Sequence, residues 1–576
     1  MQYFSKYKDY LILSSILLLS LVLRTIYLDR IPIAISNDEL DFILKSKSVF
    51  LSIVGFLHGT GSLQLIPEHP HAEIPYLLLA PITGPLPFSL FNARIFYALM
   101  STFFIFLLFL IAKKLLNRNA ALWISLVAVI NPWSIFFGRT VFESQLAVFF
   151  YFLGFYLLLI LKKWKLLWAL LPFLIAFFSY DGSKLIFLPF IGLLSYFSYL
   201  VIHKKNYKNI FVTIFSTCVI IFFTYILILK FLPDSARVHE VATPFNNVYT
   251  TTVNEERKIA IQTPIVKLFA NKPIVFLVDA TRKYLGAFST DVLFIRGDNL
   301  GIFSLWRIGL FYYTDALLLI IGLFMLYKNH KKLALFLTSL ILIAPIPSAL
   351  STVDTSYANR SIMLFPLFFI LIGYGLSELF IMMQSKRAKI TYLSLIGILY
   401  LFQLGNFLTI YLFENPIYNS EQFVFQYRIL SSYLDRAAQS KRNIMVFTNE
   451  PKAVFEQYLF YTNTYNEKTD SMIKHSSTGS TFHYGTLTIK ACEKTKPSNE
   501  NTTYIVNYVS CGKQVASEAA SLTIPQISDG AITNKIYHDS LCSAYEVPLY
   551  PSSFTLNDFL VENLSNQKFC QTFITH

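Results

Sequence analysis

The sequence predicts a polytopic α-helical membrane protein with about eleven transmembrane helices and a C-terminal domain outside the membrane. Of its 576 residues, 54% are hydrophobic and only 14% are charged, whereas soluble domains have about 25% charged residues. Apolar runs of about 20 residues, the length of helix that crosses a bilayer, recur over most of the chain. This composition excludes a soluble globular enzyme, a coiled coil and a disordered protein.

Short basic clusters at every second boundary of the apolar runs set the orientation. Each holds three Lys or Arg and no acidic residue, and cytoplasmic loops retain such residues. The amino terminus, with Lys6 and Lys8, is predicted to join them in the cytoplasm. The net charge of +14 is thereby accounted for, and no nucleic-acid partner is expected. The clusters lie at residues 113–118, 162–165, 203–208, 328–332 and 386–389.

The apolar runs between these clusters are the predicted spans. Their odd number, starting from a cytoplasmic amino terminus, places the carboxyl terminus outside. The eleven spans are 10–29, 90–112, 120–137, 142–161, 166–180, 184–202, 210–231, 307–327, 333–350, 360–383 and 390–413.

Two domains follow from these spans. Residues 1–413 form the transmembrane domain, with long outer loops at 30–89 and 232–306, and residues 414–576 form an extracytoplasmic domain. The second domain is rich in Ser, Thr, Asn and Lys, and its short β-type runs predict an α/β or mainly β fold.

Four of the five cysteines lie in the outer domain. An even number in an oxidising compartment favours two disulfides, and their order suggests the pairs Cys492–Cys511 and Cys542–Cys570, although three pairings are possible. Cys218 lies inside a span and is predicted to be a packed apolar side chain.

The chain has no phosphate-binding Gly-rich loop, no dinucleotide fingerprint and no His-Glu-x-x-His motif. Polar residues at the outer membrane face are therefore the candidates for chemistry. Asp38, Glu39 and Asp41 follow the first span. Three carboxylates within four residues suit a general base or a cation site. The alternative is that these acidic residues simply begin a helix, where carboxylates interact favourably with the helix dipole.

Further polar residues fall at the same predicted face. Four cations there suit a phosphate at headgroup depth, although each alone also suits an interface anchor. Such a set fits a lipid-linked phosphate bearing a sugar, since no nucleotide is then required. The residues are Arg94, Arg139 with Glu143, Tyr180 with Lys184, and Arg360.

A divalent cation is an open alternative for this site. Glu39, Glu143 and His69 are the candidate ligands, the last within the run Glu68-His69-Pro70-His71. Two His residues in one loop are a weak metal signal.

The order of these motifs resembles the GT-C superfamily of membrane glycosyltransferases. The Asp-Glu pair after the first span, Asn92-Ala93-Arg94 at the second, and an Arg-x-x-x-Glu turn before the fourth carry the resemblance. The protein O-mannosyltransferases and lipid A aminoarabinose transferases (families 39 and 83) are the most similar. The turn 180–184 and the segment 344–360 resemble further loops of such enzymes.

The resemblance implies a GT-C-like fold in the plasma (inner) membrane of a cell envelope. It implies inverting transfer of a sugar from a polyprenyl-phosphate donor to an acceptor hydroxyl at the outer face. Asp38 would be the general base, supported by Glu39.

The same resemblance implies roles for the other polar residues. Arg94 and Arg360 would hold the donor phosphate, Arg139 and Lys184 would line the cavity, and Glu143 would take a second acidic position. Tyr180 belongs to the turn that carries Lys184.

Several alternatives stay open at this point. The chain lacks the Trp-Trp-Asp motif of oligosaccharyltransferases, which argues against transfer of a whole glycan to Asn. The acceptor is a protein, a lipid or a glycan, and the sugar is undetermined. The main rival is a transporter or flippase of lipid-linked saccharides, which would place polar groups and broken helices near the middle of the bilayer.

Overall fold

The chain is mostly helical, with several apolar helices and a C-terminal sheet. Its contacts divide it into two compact units, and each is described by itself. Unit 1 holds Met1–Arg24, Leu99–Gly138 and Phe142–Phe407, and unit 2 holds Thr25–Ala98, Arg139–Val141 and Leu408–His576. The computed structural model describes residues 2–67, 72–231, 243, 246–352, 356–476, 480–494, 497, 499–512, 514, 520–550 and 553–576.

Each predicted span overlaps at least one helix. The α-helices before residue 410 are Gln2–Thr25, Asn37–Leu57, Pro75–Thr83, Leu90–Leu115, Arg118–Ile130, Pro132–Phe137, Glu143–Ile160, Leu170–Ser179, Asp181–Lys184, Phe187–Phe197, Lys208–Phe231, Asn247–Ile259, Pro264–Phe269, Lys272–Gly286, Tyr313–Asn329, Lys331–Ile343, Ile346–Ala349, Tyr357–Arg360, Leu364–Met382 and Lys386–Thr409. Short 3-10 or π turns cover Lys163–Ala169, Ser198–Ile202, Asp291–Ile295 and Ile410–Glu414.

In the described part of the chain, six helices are both long and apolar enough to cross a membrane. Three more are apolar but shorter: Tyr10–Thr25, Arg118–Ile130 and Phe187–Ile202. A multi-pass membrane protein is therefore supported, while the count of eleven spans stays a prediction. The six are Leu90–Leu115, Glu143–Ile160, Lys208–Leu229, Lys331–Ala349, Leu364–Met382 and Lys386–Tyr418.

One predicted span, 120–137, is two helices in the structure. The first ends at Ile130, and Pro132 begins the second. Proline has no N–H to continue the helical hydrogen bonds but fits the first turn of a new helix. The side chain of Asn131 accepts a hydrogen bond from Ser134 N at 3.1 Å and caps that turn.

The core of unit 1 centres on the helix Leu364–Met382. It packs against Arg118–Ile130 on one side and Tyr313–Asn329 on another. A Cβ at Gly373 would lie 2.4 Å from the Cα of Ile124. Glycine is therefore required there, because it lets two helix backbones approach closely in an apolar environment.

Unit 2 contains a mixed sheet of six strands, β1 to β6 in chain order. Their spatial order in the sheet is β2-β3-β1-β4-β6-β5. The central strand β1 pairs in parallel with β3 and β4, and β2, β5 and β6 add antiparallel pairings. In register, Val446 lies opposite Ile489 and Ile505. The strands are β1 (Asn443–Phe447), β2 (Phe482–Tyr484), β3 (Leu487–Lys490), β4 (Thr502–Asn507), β5 (Leu522–Pro525) and β6 (Ile532–Tyr537).

Helices accompany this sheet within unit 2, so the C-terminal domain has an α/β arrangement. The α-helices after residue 410 are Asn415–Tyr418, Phe425–Ala438, Pro451–Tyr461, Glu467–Lys474, Tyr508–Cys511 and Asn566–Phe573. Two 3-10 turns lie at Ser420–Phe423 and Val561–Asn563.

The division by contacts groups residues 25–98 with the C-terminal part of the chain in unit 2, and the domain boundary at 413/414 stays a prediction. Hydrogen bonds within this unit give the physical reason. The Ile35 N–H donates to the Tyr461 hydroxyl at 2.9 Å, and the Arg428 guanidinium donates to the Ile33 carbonyl. The helix Asn37–Leu57 also packs against Pro451–Tyr461.

Two disulfides stabilise the sheet unit, joining Cys492 to Cys511 and Cys542 to Cys570. This is the pairing that chain order suggests. Cys218, in unit 1, is buried and has a free thiol.

Replacing Cys542 by Ser is expected to lower the free energy of unfolding by about 2–5 kcal/mol, because the open chain gains conformational entropy when unfolded. The measurement is thermal unfolding of the purified protein in detergent, with and without a reductant. A Cys218→Ala variant is the control, since its unfolding should respond to the reductant as the unchanged protein does. An unfolding curve that is insensitive to reductant would contradict a structural role for the disulfides.

Candidate functional site

The acidic motif of the first outer loop begins the helix Asn37–Leu57 in unit 2. Ser36 is its N-cap: the Ser36 hydroxyl accepts a hydrogen bond from Glu39 N, and the Glu39 carboxylate accepts one from Ser36 N at 3.1 Å. This reciprocal capping box fixes the first turn. The predicted acidic helix start is therefore present, and it also determines where each carboxylate points.

Glu39 and Arg94 form a fully buried ion pair. Arg94 Nε and Nη2 donate to the two Glu39 oxygens at 3.1 and 2.9 Å, and both side chains are 0% exposed. Arg94 also donates to the carbonyls of Pro32 and Ala34 at 2.7 and 2.6 Å. Such a two-pronged pair holds its partners in one geometry.

Arg139 completes this buried cluster within unit 2. Its Nε donates to the Tyr411 hydroxyl at 3.1 Å and its Nη2 to the Ile31 carbonyl at 2.9 Å. The backbone N–H of Val141 donates to Glu39 at 3.0 Å. Burial, the largest effect, lowers the pKa of Arg139, and repulsion by Arg94 lowers it further, while Tyr411 opposes the shift.

Asp38, in contrast, is exposed, although it is the neighbour of Glu39 in the sequence. Successive helix positions are about 100° apart around the axis, so a buried Glu39 turns Asp38 toward solvent. The structure thus separates the two carboxylates that the sequence treats as a pair. Glu39 lies inside a salt bridge, and Asp38 lies on an accessible surface beside it.

The same helix carries a second accessible acid, Asp41. It pairs with Lys45 at 2.8 Å and accepts a hydrogen bond from the Tyr76 hydroxyl at 3.3 Å. Positions 38 and 41 are three apart and share a helix face.

Glu456 of the helix Pro451–Tyr461 is a candidate that the sequence analysis missed. Burial raises the pKa of Glu456 to about 7; the charge of Lys452 opposes this, Asp41 adds to it, and Lys45 opposes it. A carboxyl group with such a pKa can hold or release a proton near neutral pH. Glu456 lies more than 400 residues after Asp41 in a chain of 576, and no local motif marks it.

In unit 1, the turn 180–184 forms the short helix Asp181–Lys184. Lys184 Nζ lies 2.6 Å from Asp181 and donates to the Tyr225 hydroxyl at 2.8 Å. A Cβ at Gly182 would lie 2.7 Å from the ring of Tyr180, so this ring packs directly on the glycine. Tyr180 therefore shapes the turn that presents Lys184.

Arg360, also in unit 1, ends the short helix Tyr357–Arg360 and is partly exposed. Its turn is held by two neighbours: Ala358 N donates to the Asp298 carboxylate at 2.5 Å, and Trp133 Nε1 donates to the Ala358 carbonyl at 3.3 Å. Burial raises the pKa of Asp298 to about 6, while backbone N–H groups, including that of Ala358, oppose the shift.

The remaining candidates bear on a metal site. Glu143 is the first residue of the helix Glu143–Ile160 and is partly exposed. His69 lies outside the described residues. Within the described part of the chain, no group of three or more His, Cys, Asp or Glu side chains has an arrangement that could hold a metal ion.

Comparison with known proteins finds similarity among solved structures. No family model matches the sequence, and no curated protein matches it. ArnT from Cupriavidus metallidurans, solved bound to undecaprenyl phosphate, is similar over 91% of this chain and 97% of its own, with 9% sequence identity and a TM-score of 0.45.

Two structures of the Archaeoglobus fulgidus oligosaccharyltransferase are also similar. One is tethered to an acceptor peptide, with 10% identity, 80% of this chain and 64% of the other covered, and a TM-score of 0.44. The other, named AglB, is in complex with an inhibitory peptide and a dolichol-phosphate, with 11% identity, 80% and 64% coverage, and a TM-score of 0.42.

Proposed function

We propose that this chain is an integral-membrane glycosyltransferase. It transfers a sugar from a polyprenyl-phosphate-linked donor to an acceptor hydroxyl at the outer face of the plasma membrane, with its amino terminus in the cytoplasm. The observation that carries the proposal is the exposed Asp38 carboxylate beside the fully buried Glu39–Arg94 pair. A reactive group held by a rigid, fully bonded neighbour is the arrangement expected of a catalytic base.

Asp38 acts as the general base in this proposal. The acceptor hydroxyl gives its proton to the Asp38 carboxylate while its oxygen forms a bond to the anomeric carbon of the sugar. The bond between that carbon and the phosphate oxygen breaks at the same time, and polyprenyl phosphate leaves with the bonding electrons. A single displacement of this kind inverts the anomeric configuration.

The buried charges assist the departure of the phosphate. Arg94 and Arg139 face one buried carboxylate, that of Glu39, so this cluster of three side chains carries one net positive charge. In a medium of low dielectric constant, a fixed positive charge stabilises negative charge that develops in the transition state. Hydrogen bonds within the protein already occupy both guanidinium groups. We therefore propose that the two arginines stabilise the leaving phosphate through their electrostatic field.

Four residues of unit 1 keep the roles that the sequence predicts for them. Lys184 and Arg360 would bind the donor phosphate, Tyr180 would hold the turn of Lys184, and Glu143 would take the second acidic position.

The test is to incubate the purified full-length protein with a panel of polyprenyl-phosphate sugars and a mixture of short-chain alcohols. Release of polyprenyl phosphate together with a new glycoside of inverted configuration is the expected result. The same protein in liposomes, loaded with the donor on one side, tests the rival. Movement of intact donor across the membrane without any glycoside would favour a transporter and contradict the proposal.

A further inference from the structure

A polar cavity of about 210 Å³ lies within unit 2. The helix Phe425–Ala438 forms one wall, and residues 461–462 and 562–566 form the others. Its volume is below the roughly 300–1,000 Å³ of pockets for drug-sized ligands. The cavity therefore suits one small ring.

Arg436 is the cation among the described lining residues of this cavity, and the protein itself occupies its donors. Arg436 donates to the carbonyls of Val561 and Leu564 at 3.0 and 2.9 Å. Glu562 pairs with Arg428 at 2.6 Å. Because these donors are occupied, no described lining residue offers a free cationic donor to a phosphate or a carboxylate.

The groups that remain are hydroxyls, amides and one carboxylate. Ser431, Asp435 and Gln439 are spaced four residues apart and form one stripe of the helix Phe425–Ala438 and its end. Thr462 and Asn566 line other walls of the cavity. This set can both donate and accept hydrogen bonds, which is what each hydroxyl of a sugar requires.

Ser431 points independently to a ligand. Its side chain is only 1% exposed, and its hydroxyl has no hydrogen-bond partner within the described residues. A buried polar group without a partner costs free energy, and native proteins leave few of them. A ligand hydroxyl in the cavity would supply the missing partner.

We propose that this cavity is a saccharide subsite that binds one neutral sugar ring of a glycan acceptor. The inference rests on the proposed function, since it makes the acceptor a glycan and gives the C-terminal domain the task of holding it. Sugar hydroxyls donate to the Asp435 carboxylate and accept from Ser431 and from the side-chain amides.

The experiment measures binding directly, by saturation-transfer NMR with the full-length protein in nanodiscs. The probes are glucose, galactose, mannose and N-acetylglucosamine, and inorganic phosphate is the anionic comparison. Saturable binding of at least one sugar is expected, without binding of phosphate. Ser431→Ala should weaken it about two- to tenfold, the value of one hydrogen bond, and Asp435→Asn about tenfold or more.

Ser440→Ala is the matched control. Ser440 follows the same helix but does not line the cavity, and its hydroxyl donates to Ala437 O at 2.7 Å. Sugar affinity should be unchanged in this variant. Ser431→Ala should unfold at the same temperature as the unchanged protein or higher, because it removes an unpaired buried hydroxyl. A loss of sugar affinity in this variant is therefore not explained by misfolding.

Three outcomes overturn the inference: no sugar of the panel binds saturably, only phosphate binds, or both cavity variants bind sugar as the unchanged protein does. Failure here is distinct from failure of the proposed function. Transfer to a glycan-free alcohol without sugar binding would sustain the enzyme and reject the subsite. Sugar binding without any transfer would sustain the subsite and reject the proposed enzyme activity.

Discussion

Replacement of Asp38 by Asn should reduce sugar transfer by about 10²–10⁴-fold, the usual contribution of a general base. The amide keeps the size of the side chain but cannot take the proton of the acceptor hydroxyl. Since Asp38 is exposed and begins a helix that Ser36 caps, the fold should survive the change. The measurement is the initial rate of polyprenyl phosphate release at saturating donor, together with the unfolding temperature.

Asp41→Asn is the control for this prediction. Asp41 lies on the same helix face one turn later, but its carboxylate is paired with Lys45. A partly exposed surface pair of this kind contributes little, about 0–1 kcal/mol, so the rate should change only slightly. If Asp38→Asn retained the full rate, Asp38 would not be the base, and Glu456 would become the next residue to test.

Replacement of Glu39 by Ala should destabilise unit 2 by about 3–5 kcal/mol, the range measured when one partner of a buried ion pair is removed. Arg94 would be left charged at 0% exposure with half of its hydrogen bonds lost. Unfolding in denaturant, followed by tyrosine and tryptophan fluorescence, measures the effect. The rate of transfer should fall as well, because the turn that positions Asp38 loses its anchor.

Two comparisons separate the buried pair from ordinary charge effects. Glu493→Ala removes an acid whose side chain is 53% exposed and pairs with Lys490, and it should cost less than about 1 kcal/mol. Replacing Glu39 by Leu and Arg94 by Met together should recover much of the lost stability, because no charge is then left alone. Stability equal to that of the unchanged protein in Glu39→Ala would refute a structural role for the pair.

The membrane helices were the more predictable part of the fold. The Lys-rich clusters and apolar runs mark elements whose driving force is local, since a backbone in lipid must satisfy its own hydrogen bonds. The run 390–413, for example, lies on the helix Lys386–Thr409 and the turn Ile410–Glu414 that follows it. Breaks were harder to predict, as at Asn131-Pro132, because a proline either kinks a helix or begins a new one.

The site was less predictable, because its geometry depends on partners far away in the chain. Glu39 is buried against Arg94, 55 residues later, and this burial turns Asp38 outward. The pKa of Glu456 is raised by burial first and then by the charge of Asp41 on another helix. Residue types and spacing can nominate such groups, but their burial depends on tertiary packing.

Unit 2 is built from three separate stretches of chain, and this affects how the protein folds during synthesis. The ribosome delivers Glu39, Arg94 and Arg139 early, whereas Tyr411 and Tyr461, which bond Arg139 and Ile35, are synthesised after the intervening helices. Domains assemble as units once their parts are available. Arg139 therefore lacks its Tyr411 partner, and Ile35 its Tyr461 partner, until translation has reached those residues.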